Sequence, residues 1–240
     1  MKFSDETFDN LKMLSSVCPS IWFTEGNQLV VNSESKQVIG VCDIPDKIEQ
    51  DFGVYDIGEF LSTIDIYGPN MNLGDKSLEV YDDTGRRRST YYYCAKEVIS
   101  LIPESVISKM TTDYKNKEPM NINFKLAKED LQAVKRSATM WGYKNVCLSV
   151  IDNVLSIQAV DETHGSEENG ADSTAPVGTI ALSGDFDTDN FKMYIKTDAL
   201  NRLYETDYDV SINEKRIWRF AMPQRDVYYF VLGNSNSTYN

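Results

Sequence analysis

Residues 124–141, FKLAKEDLQAVKRSATMW, carry the pattern from which the rest of the chain is read. Leu131, Val134, Ala138 and Trp141 recur at three- and four-residue steps, so on a helix they form one buried stripe. The opposite face carries Lys128, Gln132, Lys135 and Thr139, with Arg136 beside it. Glu129 and Asp130 suit the positive end of a helix dipole and the basic residues come later, which predicts a helix start near Ala127. The same design opens the chain. In residues 3–17, FSDETFDNLKMLSSV, Phe8, Leu11 and Leu14 lie on one side and Asp5, Asp9, Lys12 and Ser16 on the other.

Working outward, Ser4 is a natural N-cap for that first helix, and the Cys18-Pro19 pair ends it. Short strand-like runs follow at 21–24, 28–31, 37–42 and 51–55, separated by turn residues. Asp56 and Glu59 have capping-box spacing ahead of Phe60, Leu61 and Ile64, predicting a second helix. Strands resume at 77–81 and 89–95 around the turn 82–85. Over 98–120 the periodicity fades, which reads as a connector between domains.

The second half repeats the order. Strands are predicted at 145–151, 154–159, 177–182 and 191–195, then a helix at 198–204 capped by Thr197, then strands at 208–212, 216–221 and 227–232. Residues 52–55 align with 191–194, and 26–29 with 152–155. The offset jumps across 161–176, an acidic, polar, Gly-containing insertion expected to be an exposed mobile loop. The expected division is an N-terminal domain at 1–97, a connector at 98–120 and a C-terminal domain at 121–240, each domain itself a doubled unit.

Composition limits the function. The 240 residues are 41% hydrophobic, enough for a substantial core. A net charge of −13 argues against indiscriminate nucleic-acid binding, so any contact with DNA must be local. Cys18, Cys42, Cys94 and Cys147 are far apart with no CxxC pair, which favours buried thiols in a reducing compartment over disulfides or zinc. No run approaches the roughly 18 apolar residues of a membrane helix, so a soluble cytoplasmic protein without membrane association is expected.

Catalysis finds little footing. The single histidine, His164, lies in the acidic insertion, away from any recognisable nucleophile. Residues 161–172 do not match a calcium-loop spacing, and no phosphate-binding GxxxxGK[ST] loop occurs. Carboxylates are abundant enough to leave a glycosidase-like pair open at this point. The reading is a non-enzyme with no cofactor and no metal. Arg86, Arg87 and Arg88 follow a turn containing Asp82 and Asp83, where local charge pairing is expected, and Tyr91, Tyr92 and Tyr93 read as sheet packing.

The motifs VYDIGEFLSTI (54–64) and KLAKEDLQAVKRSATMWGYKNVCLSVIDNVLSIQAVD (125–161), in two similar halves, resemble the sliding clamp, or DNA polymerase processivity factor, of T-even-type tailed bacteriophages. The likeness runs over nearly the whole chain. It implies an α+β DNA clamp fold of two similar domains, each with antiparallel sheets outside and two helices facing the DNA hole. It further implies a head-to-tail homotrimeric ring around double-stranded DNA, which tethers the DNA polymerase, is opened by a clamp loader ATPase, and serves late transcription factors in the infected host cytoplasm.

Such a clamp needs a few exchangeable cations toward phosphates. Lys128, Lys135 and Arg136 are the expected DNA-facing residues, with Lys12 and Arg202 weaker, since acid outnumbers base on the first helix. Charge reversal of Lys128 and Lys135 together is expected to impair loading while leaving assembly intact. Ile99, Leu101, Ile102, Val231 and Leu232 are the expected partner-peptide pocket, with core packing as the alternative role. Tyr91 and Tyr93 on one edge strand, with Thr179 and Ala181 on another, are the expected subunit interface. A tail or baseplate component, also β-rich, acidic and self-associating, is the competing reading.

Overall fold

The computed structural model describes residues 1–115, 121–161, 178–188 and 190–239, and the side chains of all of these except 111–115. His164, the acidic insertion apart from Asp161, and connector residues 116–120 lie outside them. The chain divides into two compact units, Met1–Lys109 with Asp226–Tyr228, and Met110–Arg225 with Tyr229–Asn240.

The first unit begins with α1 (Asp5–Leu14), followed by β1 (Ile21–Phe23), β2 (Gly26–Asn32), β3 (Val38–Ile48) and β4 (Phe52–Val54). Next come α2 (Ile57–Tyr67), β5 (Asn70–Leu73), β6 (Ser77–Tyr81), β7 (Arg88–Tyr92), a short 3-10 turn at Lys96–Val98 and α3 (Glu104–Lys115). The Ser4 hydroxyl accepts from Thr7 N–H at 3.3 Å, so the predicted N-cap forms. A second tie comes from β3, where Asp46 Oδ2 accepts at 2.7 Å from the Ser4 N–H, the Ser4 hydroxyl and the Thr7 hydroxyl. The buried face of α1 is Thr7, Asn10, Leu11 and Leu14; Phe8, expected with the leucines, is half-buried instead.

Asp56 caps α2 through Glu59 N–H at 2.9 Å, as its spacing predicts. The helix stops at Gly68, whose φ of 118° and close backbone neighbours both demand a missing side chain: a Cβ there would stand 2.5 Å from Tyr81 O. Arg87 then donates to Ile66 O at 3.0 Å, so an arginine caps the carbonyl end of α2. Beneath the helices, Phe23 stacks on Phe52 at 4.4 Å and meets Phe3 and Phe60 at 5.9 and 6.1 Å. Tyr93 and Tyr91 extend this cluster onto Phe52 and Phe60.

The second unit runs β8 (Ile122–Leu126), α4 (Lys128–Trp141), β9 (Asn145–Ile151), β10 (Val154–Val160), β11 (Thr179–Ala181), β12 (Gly184–Phe186) and β13 (Phe191–Lys196). Then follow α5 (Thr197–Asn201), β14 (Tyr208–Ile212), β15 (Ile217–Ala221), β16 (Val227–Leu232) and β17 (Thr238–Tyr239). Residues 122–126, not expected as a strand, alternate cleanly between buried Ile122, Phe124, Leu126 and exposed Asn123, Lys125. Its sheets are ordered β11-β10-β9-β13-β17 and β12-β8-β14-β15-β16. The β9–β10 hairpin turns on Asp152 and Asn153, both at positive φ, which suits a two-residue turn.

The internal repetition is visible in the pairing. β1 runs antiparallel to β4 and β9 to β13, so in each unit the strand after the first helix joins the strand before the second. Likewise β8 pairs with β14, and in the first unit Lys2 bridges to Asn70 at the start of β5. α1 lies beside α2 and α4 beside α5. The α+β class with antiparallel sheets is as expected.

Candidate nucleic-acid interface

α4 begins without a side-chain cap of its own, because Ala127 occupies the N-cap. Asp207, on the loop joining α5 to β14, supplies it from 79 residues away, accepting from the Lys128 N–H at 2.8 Å. At the far end Gly142 takes φ 70° and Tyr143 N–H reaches back to Ala138 O at 2.9 Å, a Schellman closure. That turn places Tyr143 in a buried cluster with Ala138 and Ala159. Tyr143 thereby takes the position the periodicity assigns to Trp141, and Trp141 is left 48% exposed.

The polar side of α4 also differs from the pattern. Lys128 and Arg136 are exposed as expected, but Lys135 is only 8% exposed. Its ammonium donates to Leu203 O at 2.8 Å and lies 3.9 Å from Glu205. Residues 203–207 cover a face that an isolated helix would leave in water, so Lys135 ties helix to loop. Burial pulls its pKa below the ordinary 10.5, against the opposing pull of Glu205. Glu205 in turn accepts from Gln132 Nε2 at 2.7 Å. That bond holds its carboxyl below the usual range, aided by the fields of Lys135, Arg136 and Lys128. Lys135, Arg136, Thr139, Met140, Asn201 and Glu205 border an open hollow of about 630 Å³. Arg202 is half-buried at the C-cap of α5.

The helix pair of the first unit has a different electrostatic character. Lys12 pairs with Asp9 at 3.7 Å, and α2 carries neither lysine nor arginine. A hollow of about 710 Å³ beside α1 and α2 is bordered by Asp5, Asp9 and Asp65 against Lys12 and Arg87. Arg87 is held by Asp82 at 3.3 Å and Arg88 by Glu79 at 3.3 Å, the local pairing expected of this run.

Two open sheet edges stand out among the described residues. β7 ends the sheet β5-β6-β7 and β11 ends the sheet of β10. Tyr91 points inward onto Phe60, and burial raises its hydroxyl pKa. Tyr92, expected only as sheet packing and not among the interface residues, is the outward residue at 76% exposure. Strand alternation was the signal that separates the two. Thr179 and Ala181 are exposed on β11, and Thr179 donates to Gln158 at 3.3 Å.

Ile99 and Val231 are buried, whereas Leu101 and Leu232 are exposed and Ile102 is half-buried. Ile99, Leu101 and Ile102 belong to the first unit, Val231 and Leu232 to the second. Ser100 accepts from Asn32 Nδ2 at 2.8 Å and anchors the start of the connector to β2. Beyond it, the expected irregular segment contains α3, whose helical phase the sparse apolar residues did not reveal. No helix among the described residues is long and apolar enough to cross a membrane.

No protein-family model matches the chain. The sliding clamp of Vibrio phage KVP40 is 27% identical over 223 residues, covering 92% of this chain and 94% of that one. The proliferating cellular nuclear antigen of Entamoeba histolytica superposes with a TM-score of 0.65 at 8% identity, over 97% of both chains. The DNA polymerase sliding clamp of Caulobacter crescentus superposes with a TM-score of 0.67 at 11% identity, over 97% of this chain. The chain spans 64% of the length of that bacterial clamp. The structural likenesses establish the fold, and the phage relative extends the similarity to sequence over nearly the whole chain: the chain has the sliding-clamp fold.

Proposed function

We propose that this protein encircles duplex DNA and tethers a replicative DNA polymerase for processive synthesis, with no catalysis of its own. The observation that carries this reading is the doubled clamp architecture, in which each unit sets two helices side by side over antiparallel sheets. Holding DNA by enclosure asks for little affinity. A chain of net charge −13 with a few exposed cations on α4 suits that task better than one with a strongly basic groove.

In this reading the domains are 1–97 and 121–240 joined by 98–120, and three subunits close head to tail into a ring. The β7 edge of one subunit pairs with the β11 edge of the next. That β7 and β11 each end a sheet among the described residues supports this arrangement, with Tyr92 beside Tyr91 and Tyr93 on one side and Thr179 and Ala181 on the other. Lys128 and Arg136 are the primary phosphate contacts, Lys12 and Arg202 secondary ones, and Lys135 positions the loop beside them. Leu101, Ile102 and Leu232 are the apolar groups available to partner peptides, including those of a clamp loader ATPase and of late transcription factors. The work is done in the cytoplasm of an infected host.

Loading onto circular and linearised DNA tests this directly. Retention on the circle and escape after linearisation, together with a discrete trimer by native mass, is the expected result; a monomer or an open polymer without topological retention overturns it.

A further inference from the structure

The two places on α4 where a phosphate would bind most strongly are already occupied by the chain's own carboxylates. A helix N-terminus with its outward N–H groups attracts anions, and here the Lys128 N–H is taken by Asp207 at 2.8 Å. One turn on, the donors facing the same side are the Gln132 amide and the Lys135 ammonium. Glu205 holds the first at 2.7 Å and lies 3.9 Å from the second. Both carboxylates come from the short loop between α5 and β14, and the Glu205 side chain is still 49% exposed. They are therefore next to solvent, where a passing phosphate competes with them.

We infer that Glu205 and Asp207 are built-in competitors for DNA phosphate, which weaken and shorten each contact that α4 makes with the duplex. This rests on the DNA-encircling reading and adds to it which residues set the strength of the grip. The chemistry is an exchange of anions. When a phosphate oxygen approaches the Lys128 N–H, the Gln132 amide or the Lys135 ammonium, it displaces a carboxylate that returns when the phosphate leaves, so no contact becomes long-lived. Asp207 answers to the backbone N–H and Glu205 to the side chains, so the two act at separate donors.

The test titrates a short linear duplex into the full-length protein at salt from about 50 to 200 mM, for the wild type, Glu205→Gln, Glu205→Asp and Asp207→Asn. Glu205→Gln keeps the size and an acceptor for Gln132 but removes the charge. Its log affinity against log salt should steepen by about 0.9, the value of one more phosphate contact, so its loss over that range is about 3.5-fold greater than for wild type. Affinity at the lowest salt should rise several-fold. Asp207→Asn, which still caps the helix, should change in the same direction, and Glu205→Asp should follow wild type. Thermal melts within a few degrees of wild type show that the fold is kept. A Glu205→Gln protein with wild-type slope and affinity overturns the inference while leaving the clamp reading in place. A wild type with no salt-dependent association and no retention on circular DNA overturns both.

Discussion

Replacing Lys135 by glutamate should destabilise the fold itself, contrary to what helix periodicity alone leads one to expect. The side chain is 10% exposed, its ammonium bonds Leu203 O at 2.8 Å, and Glu205 lies 3.9 Å away. A glutamate there strips Leu203 O of its donor, which costs about 1–3 kcal/mol. It also sets a second, poorly hydrated carboxylate against Glu205, and uncompensated buried charge costs about 3–5 kcal/mol when one partner of a pair is removed. Taking the low end of their sum, about 4 kcal/mol, because Glu205 is half exposed, the melting temperature should fall by about 8–16 °C in a chain of this size.

Lys135→Met fills the same space without the charge and should cost about 1 kcal/mol or less, because losing the bond to Leu203 is offset by not burying an ammonium. Lys128→Glu, on an exposed side chain, should stay within about 0.5 kcal/mol of wild type. The pH dependence has a definite sign. The folded pKa of Lys135 lies below the ordinary 10.5, so between those two values the unfolded chain binds more protons and stability rises with pH. Wild type should therefore gain on Lys135→Met as pH approaches 10.5. Near-UV circular dichroism melts of the three variants are the assay. A Lys135→Glu protein that melts with wild type but no longer associates with DNA would refute the structural role and return Lys135 to the phosphate-contacting set.

Two further perturbations examine the first unit. Asp46→Ala removes the acceptor shared by Ser4 and Thr7 and should cost about 2 kcal/mol by urea denaturation. Burial alone would raise the Asp46 carboxyl, but the bonds from Ser4 and Thr7 outweigh it and lower the pKa below 3.8. That contribution is present above the unfolded value and is lost as pH falls through the folded one, so wild type should lose stability below about pH 4 more steeply than Asp46→Asn. Equal acid slopes would count against it. Gly68→Ala forces a Cβ to within 2.5 Å of Tyr81 O at φ 118° and should cost more than about 2 kcal/mol. A neutral melt would show that the α2–β5 junction relaxes freely.

The α+β class, the doubled order of elements and most of the strands were legible from the chain alone, since period and punctuation are local properties. Ser4 and Asp56 cap the helices their spacing names, and 145–151, 208–212 and 227–232 are strands as read. Helix α3 was missed because its apolar residues are sparse, and other readings failed because another part of the chain intervened. Residues 122–126 became a strand by pairing with β14, and Trp141 lost its buried place to Tyr143 across a turn. Lys135 left the wet face because residues 203–207 fold over it. Periodicity describes a helix as if one side met the core and the other met water. Which of its cations stay in water is decided by whatever else packs there, and for Lys135 that is settled only when a segment 68 residues away meets it.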